Sequence, residues 1–125
     1  MVLLDSNIVI YLSKRLIDVD AFFKAEEEYA ISVITYMEVL GFAFESEEEE
    51  AFVKKLLSFF KTFYLDHTIV DKVIALRKCY TLKLPDAIIC ATAIANHATL
   101  YSNDKRLTVI GDLTIQHYSC LDDRE

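Results

Sequence analysis

The chain has 125 residues, enough for one domain to bury a core without disulfides or structural metals, and its 54% hydrophobic and 26% charged residues exclude a disordered chain. Thirteen Lys and Arg against 20 Asp and Glu leave a net charge of −7, which argues against a protein that coats DNA or binds membranes through basic residues. Two Gly and one Pro punctuate too sparsely for a sandwich of many tight turns and favour a helix-rich chain.

Val2-Leu3-Leu4 reads as a short strand ending at Asp5, after which Asp5 or Ser6 caps a helix through Ile8, Val9, Tyr11 and Leu12. Asp18 to Glu28 reads as a second short helix and Tyr29 to Val33 as a second strand. Thr35 then starts a helix carrying Met37, Leu40, Ala43 and Phe44. The acids from Glu45 to Glu50 read as a charged turn and the first turn of the next helix, where they complement the positive helix terminus. That helix shows Phe52, Val53, Leu56, Leu57, Phe59 and Phe60. Thr62 to Leu65 reads as a third strand ending at Asp66, and Ile69 to Cys79 as a helix. Leu84-Pro85-Asp86 opens a helix from Ala87 to Ala95 with almost no polar face, expected to be the most buried. Thr99 to Ser102 reads as a fourth strand, Leu113 to Tyr118 as a fifth at an edge, and Leu121 to Glu125 as a frayed tail. Strands alternating with helices predict an α/β fold with a parallel sheet covered on both faces, in a single domain over residues 1–125. Ligands in such sheets collect at the carboxyl ends of the strands.

Cys79, Cys90 and Cys120 are odd in number and widely spaced, which fits neither a disulfide framework nor a CxxC zinc site and points to a reducing cytoplasm. No basic leader precedes a long apolar run, and no apolar stretch reaches the ~18 residues that span a bilayer. The expectation is a soluble, unprocessed cytoplasmic protein with no membrane partner. His67, His97 and His117 form no triad or zinc spacing, and no P-loop, GxGxxG or GxSxG occurs.

Four acids stand out by position. Asp5 follows strand one, Glu38 lies in the first turn after strand two, Asp86 opens the apolar helix, and Asp104 follows strand four. In a parallel sheet all four converge on one end. Each also has an ordinary role: Asp5 as a helix cap, Glu38 closing a capping box with Thr35, Asp86 as a first-turn acid behind Pro85, and Asp104 in an Asn-Asp turn.

In combination, Asp5-Ser6-Asn7, Ile31 to Glu38, Lys83-Leu84-Pro85-Asp86-Ala87-Ile88-Ile89 with Ala91-Thr92-Ala93, and Ser102-Asn103-Asp104 resemble the ordered motifs of the PIN-domain ribonucleases. The nearest resemblance is to the single-domain VapC-like toxins of toxin–antitoxin pairs, and it covers nearly the whole chain. The stretch around Asp86 is its most specific part. Leu107 departs from it, standing where the family often has an aromatic residue, and the Glu45 to Glu50 run falls in a variable connection.

The resemblance implies a PIN-like three-layer α/β/α sandwich around a mainly parallel sheet of four or five strands. It also implies an endoribonuclease in which Asp5, Glu38, Asp86 and Asp104 hold Mg²⁺ or Mn²⁺, a small antitoxin partner, and a homodimer; the aromatic-rich segment Phe42 to Phe63 either supplies apolar surface for it or is all core. Two carboxylates ~4 Å apart repel by about 4 kcal/mol at an effective dielectric of about 20, so a bare cluster of four is a poor structural device. A divalent cation offsets that repulsion, and Mg²⁺ prefers hard oxygen ligands. It can orient and activate a water for in-line attack on a phosphodiester. Asp5 and Asp104 are the expected direct ligands. Asp86 binds directly or through water, and Glu38 orients the nucleophilic water or supports the ligands. Asn7, Ser102 and Asn103 are supporting polar groups or simple turn and cap residues.

Local cations answer the acidic net charge. Lys83 precedes Asp86, while Lys105 and Arg106 follow Asp104, so these three are candidates for RNA phosphates, with solvated loop cations as the alternative. Two other functions compete. A receiver-like phospho-acceptor domain would use Asp5 with Asp66 as acceptor, but the Lys usually found before Pro at its last strand is missing, and Asp66-His67-Thr68 also reads as a helix cap. A PIN fold without catalysis would serve as a binding scaffold, against which all four acids argue.

Overall fold

A computed structural model describes residues 1–118 and 120; the tail expected to fray, 121–125, lies outside the described residues. The order is β1 (Val2–Leu4), α1 (Ser6–Ser13), α2 (Val19–Phe22), β2 (Tyr29–Ser32), α3 (Val33–Leu40), α4 (Glu47–Ser58), β3 (Lys61–Phe63), α5 (His67–Cys79), α6 (Leu84–Ala95), β4 (Thr99–Tyr101), a 3₁₀ turn (Lys105–Val109) and β5 (Ile115–Gln116). The five strands form one sheet in the order β3-β2-β1-β4-β5, and every pairing is parallel. Register is set at the centre by Val2 opposite Tyr29 on one side and Thr99 on the other.

The sheet's period of two divides the core. Leu3, Ala30 and Leu100 point to one face, where they pack with Ile69, Val73 and Leu76 of α5 and Ala87 to Ala93 of α6. Val2, Leu4, Ile31 and Tyr101 point to the other, against Ile8, Val9 and Leu12 of α1, Phe22 of α2, and Val53, Leu56 and Leu57 of α4. This is the three-layer α/β/α sandwich expected from the sequence. Every residue of α6 from Ala87 to Ala93 is buried, as its lack of a polar face predicts, and Thr92 is accommodated because its Oγ donates to the Ile88 carbonyl at 2.7 Å. The same helix ends with His97 at φ 53°, while the His97 and Ala98 N–H groups donate to the Ile94 and Ala93 carbonyls. His97 thus closes a helix terminus in a left-handed position more often held by glycine.

Several boundaries differ from the sequence reading. Ser32, and not a residue near Thr35, caps α3: its Oγ accepts from Ile34 N–H at 3.1 Å. The helix therefore starts two residues early, Glu38 lies in its second turn, and the Thr35–Glu38 capping box does not form. The stretch Asp18 to Glu28 yields only the four-residue α2, because Phe22 is buried and the charged residues after it offer nothing to pack. The third strand is Lys61–Phe63 and the fifth only Ile115–Gln116, at opposite edges. Asp66 caps α5, its Oδ1 accepting from Ile69 N–H at 2.8 Å. The order 3-2-1-4-5 also differs from the 2-1-3-4-5 order of receiver-type sheets, so the topology is not that of a phospho-acceptor domain.

Leu100 lies wholly buried in β4, between β1 and β5. Leu100→Ala is expected to cost about 2–5 kcal/mol, read as a lower urea midpoint with an unchanged slope.

Candidate active site

Asp5 caps α1 with its Oδ1, which accepts from Ser6 N–H at 2.7 Å, while its Oδ2 accepts from Ser102 Oγ at 2.6 Å. The hydroxyl of Ser102 is fully buried and has a second duty, accepting from the backbone N–H of Asp104 at 3.0 Å. One serine at the end of β4 thus ties the acid after β1 to the loop that carries Asp104. From the other side, Ser6 Oγ donates to Glu38 Oε1 at 2.7 Å and lies 3.2 Å from Thr35 Oγ1. The early start of α3 turns Glu38 towards α1, where sequence reasoning had it reach back along its own helix.

The acids act on one another electrostatically. Burial, the largest cause, raises the Asp5 carboxyl above its ordinary value; the donors Ser102 and Ser6 pull it down, and the charges of Asp86 and Glu38 push it up again. Cys90, beneath them in α6, is pushed up to about 12, first by burial and then by Asp5, Asp86 and Asp104 together. Asp5, Asp86 and Asp104 thus all act on the same buried thiol, and Asp86 and Glu38 act on Asp5.

Asp104, with Asp86 nearby, holds a cation of the chain's own, Arg106. Its Nε and Nη2 donate to Asp104 Oδ1 and Oδ2 at 2.9 and 2.6 Å, a bidentate pair, and Nη2 lies 3.8 Å from Asp86 Oδ2. These hydrogen bonds hold the Asp104 carboxyl below the usual carboxylate range. Among the described residues no three His, Cys, Asp or Glu side chains are drawn together tightly enough to hold a metal ion as they stand. The donor set nevertheless suits a hard divalent cation, since it offers carboxylate and hydroxyl oxygens, and the repulsion on Asp5 is of the kind such a cation relieves.

The remaining sequence candidates separate. Asn103 clamps the chain after β5, its Nδ2 donating to the Tyr118 carbonyl and its Oδ1 accepting from Tyr118 N–H at 2.7 Å. Asn7 keeps a buried Oδ1 with no hydrogen-bond partner. Lys83 and Lys105 are exposed. Ser6 and Thr35 were missed as contributors; the signal for Ser6 was its place inside Asp5-Ser6-Asn7, but the partner 32 residues away could not be read from spacing.

A family model described as the PIN domain matches residues 2–113. The chain is a PIN domain. A chain of a toxin–antitoxin complex from Klebsiella pneumoniae is 35% identical, with 91% of this chain and 96% of that one covered and a TM-score of 0.76. A chain of VapBC-1 from nontypeable Haemophilus influenzae is 25% identical over 94% of this chain and 98% of that one, with a TM-score of 0.74. A chain of VapBC2 from Rickettsia felis, solved bound to a DNA fragment from its promoter, shares the fold at 22% identity and a TM-score of 0.82, covering 95% of this chain and all of that one. No curated protein matches the chain significantly. The VapC-like resemblance read from the motifs is borne out, and with it the PIN fold.

A PIN domain that buries one carboxylate among others carries a pH signature. Because Asp5 titrates higher in the folded than in the unfolded chain, its charge opposes folding above its raised value, and that opposition fades as pH falls towards the ordinary aspartate range. Asp5→Asn is therefore expected to raise Tm at pH 7 in EDTA, with the gain shrinking towards pH 4. Thermal melts of both proteins across that range check the sign.

Proposed function

We propose that this PIN domain is a Mg²⁺- or Mn²⁺-dependent endoribonuclease and the toxin of a toxin–antitoxin pair. The observation that carries the reading is that Ser102 joins Asp5 to the Asp104 loop, Arg106 joins Asp104 to Asp86, and Ser6 joins Asp5 to Glu38, in a chain of this family. Asp5, Asp86 and Asp104 would hold the ion, with Glu38 beside them. When bound, it would supply the charge that activates water and stabilises the leaving oxygen of a phosphodiester.

The chain's own groups prepare that chemistry. Ser102 fixes the orientation of Asp5 and the approach of the Asp104 loop. Ser6 occupies one oxygen of exposed Glu38, and among the described residues no donor reaches the other, Oε2, which would be the atom to accept a proton from water. Arg106 neutralises Asp104, whose carboxylate a bound divalent cation would have to share with it.

An antitoxin partner fits an apolar hollow of about 630 Å³ between α2 and α4, walled by Phe23, Phe52 and Phe59 and rimmed by Arg15, Lys24 and Lys55. Phe59 is 72% exposed there, as a surface awaiting a partner would be. A homodimer fits the exposed Tyr36 and Met37 of α3 and Val70 and Ile74 of α5. Within Phe42 to Phe63, the stretch read as either that surface or core, Phe42 and Phe59 are exposed while Val53, Leu56, Leu57 and Phe60 are core. No helix among the described residues is long and apolar enough to cross a membrane.

Purified protein should cleave RNA with Mg²⁺ or Mn²⁺ and stop when EDTA is added. Asp5→Asn is expected to lower the cleavage rate by about 100-fold or more, and Ser102→Ala, which loosens two acids without removing either, by about 10- to 100-fold. An Asp5→Asn protein as active as the wild type would remove the site from this reading.

A further inference from the structure

The carboxylate cluster opens sideways into a second hollow, which shares Lys83 and Asp86 with the family motifs and adds Arg77, Tyr80 and Val109 from outside them. A cleft of about 510 Å³ lies between the last turn of α5, the loop joining it to α6, and the 3₁₀ turn; Arg77, Tyr80, Lys83, Asp86, Arg106 and Val109 line it. Asp86 and Arg106 belong to both places, so cleft and acidic site are continuous. Its charge is opposite in sense to that of the chain: with Arg106 already paired to Asp104, Arg77 and Lys83 still face the single carboxylate of Asp86, in a protein of net charge −7.

The walls add what a phosphate site alone would not need. Tyr80 is half-buried, and its hydroxyl accepts from Gly111 N–H at 3.4 Å, which fixes the ring at the cleft wall. Val109 is 66% exposed, an apolar side chain left in solvent beside that ring. Aromatic and apolar surface next to cations is the combination that receives an unstacked base together with its phosphates, whereas a duplex keeps its bases stacked and offers only its backbone. The volume lies in the range of small-ligand sites.

We propose that this cleft is the subsite for an unpaired nucleotide of an RNA strand, adjacent to the phosphate at the carboxylates. Arg77 and Lys83 take the flanking phosphates, and Tyr80 and Val109 take the base. The placement of the cut phosphate rests on the nuclease reading; binding in the cleft does not need cleavage and is measured without it.

The test uses the full chain in EDTA and a fluorescein-labelled RNA of about 12 nucleotides lacking self-complementarity, compared with the same RNA annealed to its complement, by fluorescence polarisation. The single strand should bind more tightly than the duplex. Arg77→Glu should weaken single-strand binding by about fivefold or more and make the salt slope shallower by about 0.7, one phosphate contact on a single strand. Lys54→Glu on α4 changes the net charge equally and should cost less than about twofold. Arg77→Gln, which keeps a polar side chain at the α5 terminus, should fall between wild type and Arg77→Glu, and thermal melts confirm that each variant is folded. Equal losses from the Arg77 and Lys54 reversals, no loss from Arg77→Glu, equal binding of duplex and single strand, or no single-strand binding by wild type would each overturn the proposal. Metal-dependent cleavage is scored separately. Its absence with the Arg77 dependence intact would strike the nuclease reading alone, and its presence without that dependence would strike the cleft alone.

Discussion

A carboxylate drawn under a protein surface keeps its charge only if donors replace the water it has lost. For Asp5 those donors are a backbone N–H at the start of α1 and the hydroxyl of Ser102. Because that hydroxyl also accepts from Asp104 N–H, the position of one acid is linked to that of another nearly a hundred residues away in sequence. Ser6 repeats the device on the other side with Glu38. Neutral hydroxyls therefore orient Asp5 and Glu38 without cancelling their charge, while among the described residues Arg106 supplies the cation beside Asp104 and Asp86.

Much of this frame was legible in the chain. Strands alternating with helices imply parallel pairing, parallel pairing sends successive strand ends the same way, and acids placed just after strands then meet. The apolar run of α6 and the capping role of Asp66 followed from local chemistry. What escaped the sequence was non-local. Ser32 competes with residues near Thr35 to start α3, and it wins because Thr35 is buried facing Ser6, a contact that periodicity cannot show. The pairing of Arg106 with Asp104 spans two residues, yet a basic residue in a loop reads equally well as solvated or as a phosphate ligand. Arg77 and Tyr80 were invisible as site residues because a cation in a last helical turn and an aromatic residue at its end already have adequate local explanations.

The distribution of charge matters more than its sum. Acids at the start of α4 serve a helix terminus, and those around β1 and β4 form the site, while the cations that flank the site lie on α5, the following loop and the 3₁₀ turn. A net charge of −7 therefore coexists with a local surface of the opposite sense. Such a chain gains little from long-range attraction to a polyanion, so contacts made at short range must decide which phosphates are held.

The clamp that Asn103 places on the backbone at Tyr118 has a consequence for anyone handling this protein. Residues after the last strand are usually regarded as safe ground for trimming. Here they grip the loop that bears Asp104, with Ser102 N–H donating to the Gln116 carbonyl just beside it. Shortening the chain ahead of residue 118 would leave the sheet almost intact while untying one acid of the four, so a truncated protein can look well folded by spectroscopy and yet carry a loosened site.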